Sequence, residues 1–540
     1  MKLNRSCFTN RKAFEDISVK LPCFDWEKMV QATEKAPRWI HFGAGNIFRG
    51  FIAELQQQLL EKGLEESGII AADTFDFDII DKIYRPYDNM TMMVRLKPDG
   101  TMERKVIASV AKGVKADVGN EQDFAYLVKA FTNPSLQMVS FTITEKGYAL
   151  ADFRGELFPV VKKDMEEGPK KAVHAMSVVT ALLLQRFLAG GFPLALVSMD
   201  NCSHNGEKLK AGVAAIAKAW EKAGFGPEEF ISWLEDESKV SFPWTMIDKI
   251  TPRPAAVVQQ ALEEDGLEDM APVVTSKNTY IAPFVNAEVP QYLVVEDCFP
   301  AGRPALEKAG VYMTDRDTVN RTERMKVTTC LNPLHTALAV YGCLLGYNSI
   351  AAEMKDKELK ALVERIGYTE GLPVVTDPGI LSPRDFIKEV IEYRLPNPFI
   401  PDTPQRIATD TSQKISIRFG ETIKAYLEDD KLEAEHLTAI PLAIAGWLRY
   451  LLGVDDKGQP MEISSDPMLL ELKEQLKDIK FGEALSDRTA LDGVLSNPVI
   501  FGTDLVKAGL STKITEMLSR MLTGPGAVRH TLQGFLQAFD

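Results

Sequence analysis

Two regimes of apolar and polar patterning divide this chain of 540 residues. In the first, short apolar runs bounded by glycine, proline or acids recur at 38–42, 68–72, 136–144, 193–199 and 291–296, lengths that suit buried strands. Between them, 51–62, 172–188 and 207–222 space their apolar residues as helices do. Strands alternating with helices predict a parallel sheet covered on both faces. Past about residue 315 strand-like runs become scarce and helical periodicity dominates, as at 336–345 and 469–476. The pattern therefore predicts an α/β chain: a doubly wound parallel-sheet domain over 1–314, then a mainly α-helical C-terminal domain over 315–540. Residues 1–36, polar and broken by Pro22, read as an irregular lead-in wrapped on the first domain. A chain this long is expected to divide, since single cores stop growing well short of it.

Composition narrows the class. Hydrophobic residues make up 45% and charged residues 26%, a globular, soluble balance. No run approaches the roughly 20 apolar residues of a membrane helix, and the first residues have no apolar core after their charges, so a cytoplasmic protein without a membrane partner is expected. The six cysteines, Cys7, Cys23, Cys202, Cys298, Cys330 and Cys343, form no CxxC pair, which argues against a disulfide framework or zinc ribbon. Cys202 and His204 lack a second ligand pair, so no metal is expected. A net charge of −14 argues against nucleic acid, whose phosphates reward clustered Lys and Arg.

The candidate chemistry lies at two places. The run 38–42 ends in Gly43-Ala-Gly45-Asn46-Ile-Phe48-Arg49-Gly50 and passes into a helix. Strand, glycine turn and helix together signal dinucleotide binding: Gly43 permits the turn, Gly45 lets backbone approach a pyrophosphate, and the helix N-terminus supplies donors. The third glycine of the usual motif is missing, Phe48 standing in its place. After the second strand come Asp73, Asp76 and Asp78; an acid there suits an adenosine ribose and repels a 2′-phosphate, favouring NAD. Spacing alone does not choose between Asp73 and Asp76. The second place is Glu323-Arg-Met-Lys326-Val-Thr-Thr-Cys-Leu-Asn332-Pro-Leu-His335, where a lysine, a carboxamide and an imidazole precede an apolar helix. Asn332 and His335, three apart, share a helix face. A desolvated lysine exchanges a proton with a hydroxyl, and amide donors hold a developing oxyanion. The same residues also suit the caps and core polar groups of an ordinary amphipathic helix.

Several pieces, in order, resemble the polyol-specific long-chain dehydrogenases, the family of mannitol 2-dehydrogenase, fructuronate reductase and tagaturonate reductase. They are Gly43 to Gly50, Thr142-Ile-Thr-Glu-Lys-Gly-Tyr148, Asp200-Asn201 with Asn205-Gly206, Met246-Ile-Asp-Lys-Ile-Thr-Pro252, Glu323 to Lys326 with Asn332 and His335, Asn397-Pro398, and Asp410-x-Ser-Gln-Lys414. The resemblance implies metal-independent hydride transfer with NAD in a cleft between the two domains. By position it implies Lys326 as acid/base, Asn201 and Asn332 as the carboxamides on the carbonyl, and His335 as a substrate-orienting group. It further implies Glu323 on the proton path, Arg394 on substrate, and Asn46, Arg49 and Thr144 beside the coenzyme. One departure stands out. The family commonly spaces lysine and asparagine five apart, whereas Lys326 and Asn332 are six apart, so a bulge or irregular turn must absorb one residue. The expected substrate is a small sugar acid, fructuronate interconverting with mannonate. Fructose and mannitol or tagaturonate are the alternatives, and a non-catalytic NAD-binding regulator is a remote one. The expected assembly is a monomer or small homo-oligomer.

Overall fold

The computed structural model describes residues 1–487 and 489–537 and divides the chain into two compact units, Met1–Asn320 and Arg321–Asp540. In the first, six strands form one parallel sheet: β1 (Trp39–Phe42), β2 (Ile69–Asp73), β3 (Val110–Lys115), β4 (Met138–Phe141), β5 (Leu194–Ser198) and β6 (Val240–Ser241). Their order is β3-β2-β1-β4-β5-β6. This is the doubly wound arrangement whose direction reverses between β1 and β4, the point at which such sheets bind ligands.

Successive side chains of β1 serve opposite faces. Ile40 and Phe42 join one apolar cluster, with α2 (Glu121–Phe131), α3 (Ala175–Leu188) and α4 (Asn205–Lys222). Trp39 joins the other, with α1 (Ala53–Glu61). Burial on both faces explains why these strands read as continuous apolar runs. Arg186 of α3, fully buried, ties the sheet's rear edge: it donates to the carbonyls of Phe131, Asn133, Leu136, Phe192 and Pro193 at 2.5–3.0 Å.

Two parts of this unit depart from the sequence pattern. The lead-in is not irregular: it carries helices Arg11–Asp16 and Trp26–Lys35 and strand Val19–Lys20, which pairs with Arg104 and Lys105. Asp25 caps the second helix by accepting from Lys28 N, and its buried Met29 and Thr33 lie on one face. Strands Thr91–Leu96 and Met102–Ile107 form an antiparallel pair that the apolar runs do not reveal, because Glu103, Arg104 and Lys105 interrupt the second.

The second unit is helical, with no strand among its described residues. The division falls inside α5 (Arg316–Met325), which is followed by α6 (Asn332–Leu345), α7 (Ala439–Tyr450), α8 (Ser511–Met521) and α9 (Ala527–Gln537). Every residue of α7 is buried, so its first N–H groups need an internal partner. Glu370, itself buried, accepts from the backbone of Thr438, Ala439 and Ile440 at 2.6–2.8 Å, and Tyr341 of α6 donates to Leu442 O at 2.7 Å. Among the described residues of the two units, six segments are π-helical, a rare turn: Phe48–Ile52 and Ile80–Tyr84 in the first, Lys326–Cys330, Arg365–Gly371, Val390–Arg394 and Ser416–Gly420 in the second. Among the described residues no helix is long and apolar enough to cross a membrane.

Glu353 is the outlier of this unit. Fully buried, with no hydrogen-bond partner for either carboxylate oxygen among the described residues, it is pushed from 4.5 up to about 9, first by burial and then by the charges of Asp356 and Asp402. The folded state therefore holds a proton that the unfolded chain has released. The associated stability is complete below about pH 4.5 and is lost as pH rises toward 9. Denaturant unfolding at pH 5 and pH 8 is expected to show a loss of up to about 4 kcal/mol in the wild type from this group, and Glu353→Gln should remove that loss. Equal pH dependence in the two proteins would contradict a protonated Glu353.

Candidate active site

In the first unit the site is built at the switch point. Gly43 follows β1 with φ +100°, and a Cβ placed there would lie 2.1 Å from Thr142 O at the end of β4, so only glycine fits. A Cβ on Gly45, by contrast, would meet nothing within 4 Å. Phe48, at the third-glycine position, is fully buried and stacks on His41 at 4.2 Å. The close approach that this glycine normally permits is taken over by Gly50, where a Cβ would lie 2.8 Å from Val285 Cγ1. His41 is pushed down to about 3 by burial, and its ring nitrogens meet Ser140 Oγ at 2.6 Å and Thr142 Oγ1 at 2.8 Å. A neutral imidazole thus joins β1 to β4 beneath the loop.

The two candidate acids have different surroundings. Asp73, at the end of β2, accepts from Ala44 N in the glycine loop at 3.0 Å and from Phe75 N and Asp76 N at 2.8 Å. Burial raises its carboxyl above the usual range against the pull of these three donors. Asp76 turns to Thr275, whose hydroxyl donates to it at 2.7 Å. Arg49 lies under the loop, 1% exposed: its Nε donates to Thr91 Oγ1 at 3.0 Å and its Nη2 to Ala282 O at 2.7 Å. Tyr84, beside it, donates to Ala44 O at 3.0 Å. Asn46 Oδ1 is buried without a hydrogen-bond partner among the described residues. An anchored carboxylate, an open glycine and an orphaned amide oxygen at one turn fit the ribose and pyrophosphate of a dinucleotide.

Asp200, just past the carboxyl end of β5, organises the neighbouring edge. Its carboxylate accepts from Ile143 N and Thr144 N at 2.9 Å and from Tyr148 Oη at 2.5 Å, and it sits directly before exposed Asn201. Tyr148 also meets Ser198 Oγ at 2.8 Å. This grip holds Thr144 at φ +63°, a conformation a threonine rarely adopts. The sequence offers Asp200 as part of the Asp200-Asn201 piece of the family resemblance and at the end of a buried strand, and neither gives these bonds. Asn205 is structural: its amide donates to Thr245 O and Oγ1 and accepts from Thr245 N, all at 3.0 Å.

In the second unit the six-residue spacing is resolved by a wide turn. Lys326–Cys330 is π-helical and closes with Leu331 N donating to Lys326 O at 3.1 Å, five residues back. A π turn takes one more residue than an α turn to close. Six residues through it therefore bring Asn332 to about the rotation that five reach in an unbroken α-helix. Pro333 is the local cause: it has no N–H for the carbonyl four residues back and its ring crowds that carbonyl, whereas the start of a new helix tolerates it. Lys326 is 2% exposed. Asn332 opens α6, and His335 Nε2 lies 3.2 Å from Asp402 Oδ2, a carboxylate that Arg406 also binds, at 2.8 Å. Glu323 is half-buried on α5, three residues before Lys326. Arg394 is buried in its own π segment, and Asn397 Oδ1 accepts from Phe399 N at 3.0 Å.

A Rossmann sheet with a dinucleotide loop, joined to a helical unit that buries a lysine, defines the class: a nicotinamide-dependent dehydrogenase. The chain belongs to the mannitol dehydrogenase family, matching its Rossmann domain over residues 37–308 and its C-terminal domain over 318–522. It is 53% identical to the D-mannonate oxidoreductase of Thermotoga maritima over 99% of this chain and 98% of that one. Among solved structures it resembles D-sorbitol dehydrogenase in substrate-free form (TM-score 0.79, 27% identity, 95% of this chain and 97% of that one). It also resembles mannitol 2-dehydrogenase of Pseudomonas fluorescens in a ternary complex with NAD and D-mannitol (TM-score 0.69, 26% identity, 99% of this chain and 100% of that one).

The two glycines of the loop make opposite demands. Gly43→Ala is expected to destabilise the first unit by about 3 kcal/mol or more, through backbone collision and a strained φ, read by thermal unfolding. Gly45→Ala should unfold at the wild-type temperature yet bind NADH at least about tenfold more weakly, since its Cβ intrudes only where a pyrophosphate would lie. Unchanged NADH affinity in a folded Gly45→Ala would remove the loop from the coenzyme site.

Proposed function

We propose that this protein is an NAD-dependent oxidoreductase that interconverts D-mannonate and fructuronate, working on the secondary alcohol by hydride transfer. The near full-length 53% identity to a D-mannonate oxidoreductase is the observation that carries the choice of substrate. The wide turn at Lys326–Cys330 supports the choice of catalytic residues, since it reconciles the spacing of Lys326 and Asn332 with one shared role.

When bound, NADH supplies the hydride. The chain's part is to hold the ketone oxygen and move one proton. The amide N–H groups of Asn201 and Asn332 hold the oxygen as negative charge grows on it, and the Lys326 ammonium gives that oxygen its proton. Glu323, three residues earlier and half-buried, carries the replacement proton from solvent to the lysine. His335, oriented by Asp402, and buried Arg394 contact substrate hydroxyls. Asp73 receives the adenosine ribose hydroxyls, its other lone pairs being fixed by the loop, while Gly43, Gly45, Asn46 and Thr144 border the coenzyme and Arg49 supports them from below.

Turnover of ketouronates and ketoses, followed by loss of NADH absorbance, tests the reading: fructuronate should be reduced with the highest kcat/KM, and preference for fructose would assign a mannitol dehydrogenase instead. NADH should be favoured over NADPH, and Asp73→Ala should erode that preference at least about tenfold by removing the carboxylate that repels a 2′-phosphate. A preference unchanged by this substitution would move the ribose site elsewhere.

Lys326→Ala should lower kcat by about 100-fold or more, with NADH affinity nearly unchanged, because general acid–base groups contribute about 10²–10⁴-fold. In the oxidising direction the variant should lose the limb of the pH profile that rises as the lysine deprotonates. Small primary amines should restore part of the rate. More than about a tenth of wild-type kcat with the pH profile intact would exclude Lys326 as the acid/base.

A further inference from the structure

The buried acid Glu353 lies against the same helix face that carries His335. On α6 the positions 332, 335, 339 and 342 form one stripe, because residues three and four apart stack along a helix. The stretch 402–406 runs along that stripe. Asp402 Oδ2 meets His335 Nε2 at 3.2 Å, and two residues on Pro404 lies over Gly342, where an added Cβ would come within 2.9 Å of the proline Cβ. The same added Cβ would run into Glu353 Oε1, so the carboxyl fills the gap that Gly342 leaves beside Pro404. Ile350, three residues before Glu353 on its short helix, donates its N–H to Asp402 O at 3.0 Å. The turn that bears Glu353 is thus fastened to Asp402 by its backbone and pressed against Pro404 by its side chain.

Such a wedge holds only while it is neutral. On the stretch 402–406, burial opposes the charge of Asp402, but His335 and Arg406 prevail and hold its carboxyl below the usual range. On the turn after Glu353, burial likewise opposes the charge of Asp356, but Arg529 of α9 at 2.6 Å and Tyr347 at 2.7 Å hold it low. From α6, Cys343 is pushed up to about 12, first by burial and then by Glu353, and stays a thiol. Both arginines are therefore engaged by other carboxylates, and an anion at Glu353 would be desolvated, without a hydrogen-bond partner among the described residues, and repelled by Asp402 and Asp356. Relief requires the stretch 402–406 to shift from α6, and with it the carboxylate that orients His335.

We propose that Glu353 is a positioning residue: its neutral carboxyl, wedged between Gly342 and Pro404, seats Asp402 against His335, and loss of its proton unseats that pair and weakens substrate binding. The proposal rests on the reading of His335 as a substrate contact. It sets an alkaline limit on binding that is separate from the proton exchange of Lys326. The seated form holds the proton, so the pair is complete at neutral pH and is lost as pH rises through about 9.

Two measurements on the whole enzyme test this. The first is NMR of the histidine imidazoles, six in the chain, with His335 assigned by the signal missing in His335→Gln. Between about pH 7.5 and 10 the His335 signal should move with a midpoint of about 9 in the wild type and hold still in Glu353→Gln and Glu353→Met, which carry no charge to gain. The second is titration of D-mannonate into the complex with NADH, a pair that cannot turn over. Over the same range wild-type affinity should fall about three- to tenfold further than that of the Glu353 variants, the value of one neutral hydrogen bond, while NADH affinity follows one course in all three proteins. With His335→Gln in place, adding Glu353→Gln should no longer alter the pH dependence of mannonate binding. Should Glu353→Gln fail to fold, Glu353→Met carries the same expectation. A His335 signal that stays still in the wild type, or that moves alike in the wild type and the variants, would overturn the proposal. If the signal moves as expected but mannonate affinity does not follow it, the seating of Asp402 by Glu353 stands and the reading of His335 as a substrate contact falls.

Discussion

The break in the helical ladder between α5 and α6 is the constraint on which the second unit's chemistry depends. Proline at position 333 cannot continue the hydrogen bonds of the preceding turn, so the chain widens through Lys326–Cys330 and begins a new helix at Asn332. Two consequences follow. Lys326 is buried, as the acid/base proposed above needs to be. The new helix also starts its own phase, which puts Asn332 and His335 on one face and lets a single helix present a carboxamide and an imidazole.

The first unit relies on carboxylates bound by backbone N–H groups. Asp73 takes three such donors, one of them from the glycine loop, and Asp200 takes two from the turn after β4 together with a tyrosine hydroxyl. Each ends a parallel strand, and each fixes the loop of a neighbouring strand. Loops at the carboxyl ends of a doubly wound sheet have no ladder of their own to hold them, so these side chains preorganise the binding edge before any ligand arrives. The strained φ of Thr144 is sustained by this anchoring.

Buried charge is handled in contrasting ways across the molecule. Arg186 gives all its donors to carbonyls and acts as a structural staple. Glu370 spends its charge on the first turn of α7. Glu353 escapes the problem by keeping its proton.

The sequence by itself determined the elements and the family. Continuous apolar runs located the buried strands of the parallel sheet apart from β3 and β6, glycine spacing located the dinucleotide loop, and the ordered motifs from Gly43 to Lys414 identified the enzyme class, because periodicity and motif spacing are local properties of the chain. The mixed charges of Met102–Ile107 and the polar stretch 1–36 hid real elements, since their burial comes from distant partners such as the pairing of Val19 with Arg104. Tertiary structure alone gave Asp73, and not Asp76, contact with the loop, moved the third glycine's task to Gly50 against Val285, and showed the extra residue before Asn332 taken up by a π turn. It alone brought Arg418 against Thr336, 82 positions apart in the chain. Which donor meets a carboxylate, and whether a buried cation meets a counter-ion, are facts about residues far apart in sequence, and no local pattern encodes them.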